Sequence, residues 1–329
     1  MIIDAKNKKV IAWGTSKLLE LYLKHAENPQ IAYVLDSNHE KQGAMFNGLE
    51  TFLPGKLLEE SPDEVVVVIF AVSNHAVQSI LAALNTYGYA LHKNVLLYSD
   101  VFYESFSKKM KKKFDIDLHV DTYHFVKSFY LSTKFPIHTT ILGSFLLLEI
   151  VSKILAKGEE GQSIAEVGAF NCGNALLISQ YLTQHRSVPF YIFDSFEGFP
   201  ELTKYDPQNR GAGDYNIEST YEYIIDNFSF FSKAKIIKGF VPETFSEIDQ
   251  GEMFSVVFYD CDLYKPALDT FAFFWDRIVP GGYLVIHDYI VEDGGFTGVE
   301  KATSEFFSDK NIVVETFWEN TMAVIKKPL

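Results

Sequence analysis

Cysteine is scarce: Cys172 and Cys261 are the only two in 329 residues. Two thiols cannot build a disulfide framework, and so few of them fit a reducing, cytoplasmic compartment. Long apolar runs are absent as well. The longest unbroken one, Val65–Val72, has eight residues, against the ~20 needed to cross a bilayer. The start, Met1 to Lys9, is polar and lacks the apolar core of a signal peptide. Basic residues are outnumbered 29 to 43, which leaves a net charge of −14. Duplex-binding proteins need basic faces to displace phosphate counterions, so the balance argues against nucleic acid as a partner. There is no convincing internal repeat and no low-complexity tract. What is present is ordinary globular material, 47% hydrophobic and 22% charged. At roughly 150 residues per domain, the length predicts about two domains.

The first 105 residues alternate strands and helices. Residues 9–13 read as a buried strand, Gly14-Thr15-Ser16 as a turn, and Lys17–His25 as a helix with leucines at helical spacing. Ile31–Leu35 is a second strand, ended by Asp36. Val65–Val72 is a continuous β-branched run, as expected of a parallel strand covered on both faces. Asn74–Tyr87 follows as a helix and Val95–Tyr98 as a strand. This is a small doubly wound, Rossmann-like α/β unit. Its Gly14–Leu19 turn lacks two of the three glycines of a dinucleotide fingerprint, although Asp36 keeps the ribose-type position. Phe106–Phe114, with its lysines at 108–113, shifts the composition and marks a boundary with a solvated linker face. The expected division is residues 1–105, a connection over 106–134, and a second α/β domain over 135–329.

In that second domain Thr140–Ala156 reads as a helix stopping at Gly158. Strands are expected at Ser163–Val167, Phe190–Phe193, Lys235–Ile237, Ser255–Tyr259 and Tyr283–His287. Pro266–Arg277 reads as a helix, broken from the last of these by Val279-Pro280-Gly281-Gly282. Ile312–Phe317 and Met322–Lys326, around Glu319-Asn320, form a closing antiparallel hairpin. Five strand–helix units capped by a hairpin is the layout of a class I methyltransferase sheet.

Two places on this layout can carry chemistry. Glu166-Val167-Gly168-Ala169-Phe170-Asn171-Cys172-Gly173-Asn174 follows the first strand and opens a helix, where glycines let a ligand approach and N–H groups are free. Asp194, ending the next strand, can accept hydrogen bonds from both hydroxyls of a ribose. Together they indicate an adenosine-containing cofactor at the carboxyl edge; the plainer alternative is a tight turn with a capping Asp. The second place is formed by Asp260-Cys261-Asp262-Leu263-Tyr264 and His287-Asp288-Tyr289 at the ends of neighbouring strands. Facing carboxylates repel unless a proton or a metal ion lies between them. Asp260, His287 and Asp288 make an oxygen-rich set with one imidazole, suited to Mg²⁺, Mn²⁺ or Fe²⁺. The alternative is that Asp262 caps the next helix and His287 is a core histidine.

These motifs, with Asp194-Ser195-Phe196-Glu197-Gly198-Phe199-Pro200 and Pro280-Gly281-Gly282, resemble the macrocin O-methyltransferase (TylF-like) family over about residues 135–329. The resemblance implies S-adenosylmethionine, a divalent metal and a sugar hydroxyl as acceptor, in surface polysaccharide or natural-product assembly. It implies that Glu166, Gly168, Asp194 and Ser195 hold the cofactor, beside Ala169, Phe170, Asn171 and Gly173 of the turn, and that Gly239-Phe240 flanks the adenine. The family pattern at the third motif is usually Asp-Asp-Tyr. His287 departs from it: either histidine replaces the first carboxylate as ligand, or that ligand is lost.

A sugar hydroxyl is barely acidic, so a bound ion would lower its pKa, and His287, Asp288 or Tyr264 could take its proton. Thr203–Ile224, rich in Gly, Asp, Asn and Tyr, is expected to be a mobile segment over the acceptor, or else a surface loop. The acceptor is expected to be nucleotide-linked or a glycan, and the enzyme a homo-oligomer whose N-terminal unit docks substrate or dimerises. Competing readings are a phenol or catechol O-methyltransferase, a non-catalytic binding scaffold, and an oxidoreductase working through the N-terminal unit.

Overall fold

The computed structural model describes residues 8–26, 29–157, 162–289, 297–317 and 321–329. Gly158, the Glu319-Asn320 turn and most of Met1–Lys9 lie outside these residues. Contacts divide the chain into two compact units, Met1–Asp117 with Lys127–Leu142, and Leu118–Val126 with Gly143–Leu329.

In the first unit the chain runs β1 (Lys9–Trp13), α1 (Lys17–His25), β2 (Ile31–Leu35), β3 (Met45–Phe46), β4 (Leu49–Phe52), β5 (Val65–Ile69), α2 (Asn74–Thr86), β6 (Val95–Leu97) and α3 (Tyr98–Phe114). The sheet order is β3-β4-β2-β1-β5-β6. β5 sits inside it and all five of its residues are buried, which is why an unbroken β-branched run forms there. Sequence reasoning missed β3 and β4. They are joined by Asn47-Gly48, both with positive φ (49° and 84°), the two-residue turn that matches the twist of a hairpin. Ser16 caps α1, accepting from Leu19 N–H at 3.4 Å. The lysines of 108–113 lie in α3, a single 17-residue helix that buries Phe102, Phe106, Met110 and Phe114 along one stripe. Its start is fixed by Asp100, which accepts from Leu97 N–H at 2.8 Å and pairs with buried Lys127 at 2.6 Å.

Helix α4 (Val120–Ser132) and helix α5 (Ile141–Ala156) follow. The second unit continues through β7 (Gln162–Val167), α6 (Gly173–Gln184), β8 (Phe190–Asp194), α7 (Tyr221–Phe228), β9 (Ala234–Lys238), β10 (Met253–Tyr259), α8 (Tyr264–Phe274), β11 (Ile278–Ile286), α9 (Thr297–Phe307), β12 (Glu315–Phe317) and β13 (Met322–Lys326). Its seven strands are ordered β12-β13-β11-β10-β7-β8-β9, with β13 antiparallel to both neighbours. This is the expected class I arrangement. Chain order reverses direction between β7 and β10, the switch point outside whose carboxyl ends ligands bind in open α/β sheets.

Val279–Gly282 is not a break before the last parallel strand. It is the bulged entry of β11: Phe254 pairs with Ile278 and Val256 with Tyr283, so the extra residues loop out of register. Behind the sheet Phe193, Phe245, Phe254 and Phe274 pack edge-to-face at 4.9–5.5 Å, a geometry worth about 0.5–1.5 kcal/mol per pair beyond area burial. That packing fixes the strands whose ends form the site.

Candidate active site

β7 ends on Glu166-Val167, and the chain must then turn sharply past β10. Gly168 makes the turn with φ +89°, and a Cβ there would lie 2.4 Å from the Asp260 carbonyl oxygen. Only glycine fits. Phe170 (φ 47°) and Cys172 (φ 59°) are also left-handed, and Cys172 precedes α6. Phe196 (58°), Asp262 (64°) and Asp288 (48°) repeat this conformation just past β8, β10 and β11. Non-glycine residues held there cost of order 1–3 kcal/mol each and persist where the surroundings force them, characteristically at functional sites.

Asp194 joins two of these turns. Its Oδ2 accepts from Ala169 and Phe170 N–H at 2.9 and 2.6 Å, and its Oδ1 from Phe196 N–H at 2.7 Å. Burial pushes the carboxyl up to about 6 against the downward pull of these three donors. Gly239 N–H donates to the Asp194 carbonyl at 2.9 Å, which sets Phe240, an exposed aromatic, beside it. Ser195 is committed within its own turn, donating to Gly198 O at 3.0 Å and accepting from Glu197 N–H at 3.1 Å. Asn171 accepts from Gly173 N–H at 3.4 Å. Glu166 is 1% exposed, and its Oε2 has no hydrogen-bond partner. Burial, then the charge of Asp260, pushes its carboxyl well above the usual range. A buried polar oxygen without a partner is costly, and a hydrogen-bonding group of a ligand would satisfy it.

The second cluster adjoins the first through the ladder. Asp260 N–H donates to Val167 O at 2.8 Å and His287 N–H to Tyr259 O at 2.9 Å, so the ends of β7, β10 and β11 lie side by side. His287 Nδ1 bonds Asp260 Oδ1 at 2.7 Å and lies 3.6 Å from Asp288 Oδ1. Burial pulls the imidazole pKa down, but the charges of Asp260 and Asp288 outweigh it and hold it at about 10. Its buried Nε2 has no partner. Thr321 donates to Asp288 Oδ1 at 3.2 Å.

Asp262, a helix cap in the alternative reading of the sequence, is a third carboxylate of this cluster. Its buried Oδ1 is unpartnered, and burial, then Asp288 and Asp260, raise it well above the usual range. The cap of α8 comes instead from Asp206, whose Oδ1 accepts from Tyr264 N–H at 2.7 Å. Tyr264 donates its hydroxyl to Glu305, which raises its pKa. Both cysteine thiols are pushed well up by burial, so neither is a thiolate nucleophile at neutral pH.

Three carboxylates against one imidazole leave excess negative charge and oxygen donors, which fits a divalent cation in charge and ligand type. The side chains are turned toward each other, however. Among the described residues no three His, Cys, Asp or Glu groups converge as a bound ion requires. In the N-terminal unit, Asp36 already accepts from the Thr15 hydroxyl, from Lys41 Nζ at 3.0 Å and from Asn38 N–H at 2.9 Å. A Cβ on Gly14 would meet Phe70 O at 2.7 Å, so that glycine serves packing between turns.

A family model described as Macrocin-O-methyltransferase (TylF) matches residues 142–326, more than half of the chain. A relative from Streptomyces olivaceus, 8-demethyl-8-(2,3-dimethoxy-alpha-L-rhamnosyl)-tetracenomycin-C 4'-O-methyltransferase, is 25% identical over 154 residues, which cover 43% of this chain and 58% of that protein. The match therefore spans less than two thirds of the relative. Among solved structures, CalS11, a calicheamicin methyltransferase, superposes with a TM-score of 0.48 at 14% identity, covering 63% of this chain and 91% of that one. The O-methyltransferase NovP gives 0.47 at 16% identity, covering 70% and 100%.

Proposed function

The chain belongs to the macrocin-O-methyltransferase (TylF) family, and we propose that it moves a methyl group from S-adenosylmethionine to a sugar hydroxyl. The observation that carries this reading is the adjacency of two unlike edges. The Gly168–Gly173 turn leads into the start of α6 and is tied to a ribose-type carboxylate, Asp194. Next to it lie Asp260 and Asp262, one strand ladder away, and His287 and Asp288, one ladder further. The first would take the cofactor, with Phe240 against the adenine and Glu166 near its polar end. The second would take the acceptor.

Methyl transfer is a direct displacement, so the acceptor oxygen must lie in line with the S–CH₃ bond, ~3–3.5 Å away. Asp260 and Asp288 would hold a divalent ion, which supplies acidification of the acceptor hydroxyl. Of the three candidate bases, His287 is held protonated by its carboxylates and Tyr264 has its hydroxyl on Glu305. Asp288, with a side chain 30% exposed, is left to accept the proton, directly or through water. A nucleotide-linked acceptor and a cytoplasmic location belong to the same proposal.

The test is calorimetry with S-adenosylmethionine, followed by methyl transfer to a panel of free and nucleotide-linked hexoses and to catechols. Binding with transfer to a hexose is expected. No heat of binding would make the chain a scaffold, and transfer confined to catechols would replace the sugar reading.

A further inference from the structure

The segment after Pro200 is anchored by one buried carboxylate. Asp206 is 5% exposed. Its Oδ2 accepts from Thr203 N–H at 2.8 Å and from Thr203 Oγ1 at 2.7 Å, which closes the loop on itself. Its Oδ1 reaches 58 residues along the chain to the first N–H of α8, at Tyr264. The free N–H groups of a helix start and its dipole both favour an anion at this point. α9 makes room for the contact: a Cβ on Gly298 would lie 2.8 Å from Asp206 Oδ1 and 3.0 Å from the Tyr264 nitrogen. The rings of Tyr205 and Tyr264 pack 4.7 Å apart beside it.

We propose that Asp206 is a positioning residue for the acceptor: it latches the 201–217 loop to the start of α8, directly after the turn that carries Asp260 and Asp262. This rests on the reading of the site given above. Downstream of the latch the loop delivers Arg210, whose guanidinium lies 5.3 Å over the Tyr215 ring. Tyr215, 40% exposed, meets Phe170 of the cofactor turn at 5.7 Å and Phe199 at 4.9 Å. One carboxylate thus sets two things together: the turn bearing the acidic cluster, and an aromatic and cationic wall facing the cofactor turn. None of its bonds goes to the cofactor turn itself.

The variants are Asp206→Ala, Asp206→Asn and Gly298→Ala in the full chain. Trypsin cleavage after Lys204 and Arg210, mapped by mass, reads the latch without any need for activity. A lost helix cap is worth on the order of a tenfold change in the population of the released loop, so Asp206→Ala should be nicked about tenfold faster at these sites. Gly298→Ala should match it, because the added methyl wedges the same contact. Asp206→Asn keeps an oxygen for Tyr264 N–H and should recover part of the protection. With whichever hexose the panel identifies, the KM of the acceptor should rise about tenfold, while the dissociation constant for S-adenosylmethionine stays within about twofold. Unchanged cleavage in Asp206→Ala, or loss of cofactor affinity in step with acceptor KM, would overturn the proposal. If no sugar is methylated by wild type, the reading of function fails while the cleavage result still decides the latch.

Discussion

Asp194, the residue proposed to meet a ribose, fastens two turns through three backbone N–H groups. Asp194→Ala should therefore weaken S-adenosylmethionine binding, through loss of a charge-assisted acceptor, by about 1.5–3 kcal/mol. Calorimetry on a folded variant checks it. The raised carboxyl has a consequence for stability. The folded protein holds this proton more tightly than the unfolded chain, so its contribution to stability is greatest at low pH. It is lost as pH rises from the ordinary aspartate range to about 6, and is flat above. Melting temperatures of wild type and Asp194→Asn across that window should converge as the pH falls, and the variant should lack this part of the slope. If a divalent ion displaces the proton that the carboxylates hold on His287, the unpartnered Nε2 offers that ion a softer nitrogen in place of a hard oxygen donor. Chelator should abolish turnover and leave cofactor binding intact. A transition metal should then support more activity than Mg²⁺, and His287→Asp should shift the preference back toward Mg²⁺. Identical metal orders in the two proteins would remove His287 from the ligand set.

At the scale of elements, the close approach of the chain after β7 to the end of its parallel neighbour β10 is governed by Gly168. Gly168→Ala drives a methyl into the Asp260 backbone at 2.4 Å and imposes a left-handed alanine. The clash is with main chain, so relief requires the strand ends to part. A loss of stability of roughly 3 kcal/mol or more is expected, with cofactor binding abolished, by thermal melt and calorimetry. Much of this layer was legible beforehand, because strands covered on both faces must be continuously apolar and because the glycine turn and the acidic strand ends are short-range patterns. The β3–β4 hairpin escaped notice although Asn47-Gly48 is a strong turn signal, since its strands have only two and four residues. The β11 bulge was hidden by Pro280-Gly281-Gly282, which reads locally as a stop. Asp206 and the clustering of Asp262 with Asp288 were out of reach for another reason. Their partners are fixed by tertiary placement, and nothing in the local spacing of Asp206 points to Tyr264.

For the whole molecule, two compact units mean that unfolding need not be a single two-state event. A ligand that binds only the second unit raises only the transition of that unit, by about 2.7 kcal/mol at a concentration of 100 Kd. Lys127→Ala removes the buried cation that pairs with half-buried Asp100 within the first unit, and the loss of this charged hydrogen bond should lower the other transition by about 1.5–3 kcal/mol. Calorimetric scans of both proteins, with and without S-adenosylmethionine, test the assignment, and transitions that always move together would show one cooperative unit. The left-handed residues at the strand ends bear on how such a protein could be evolved in the laboratory. In a saturation library sorted for folding alone, Phe170, Cys172, Phe196, Asp262 and Asp288 should drift toward glycine or asparagine, which adopt that backbone at little cost. Sorted for methyl transfer, the same positions should resist that drift. Elsewhere in the chain the two sorts should agree, so these strand-end turns would stand out as the positions where foldability and catalysis select different residues.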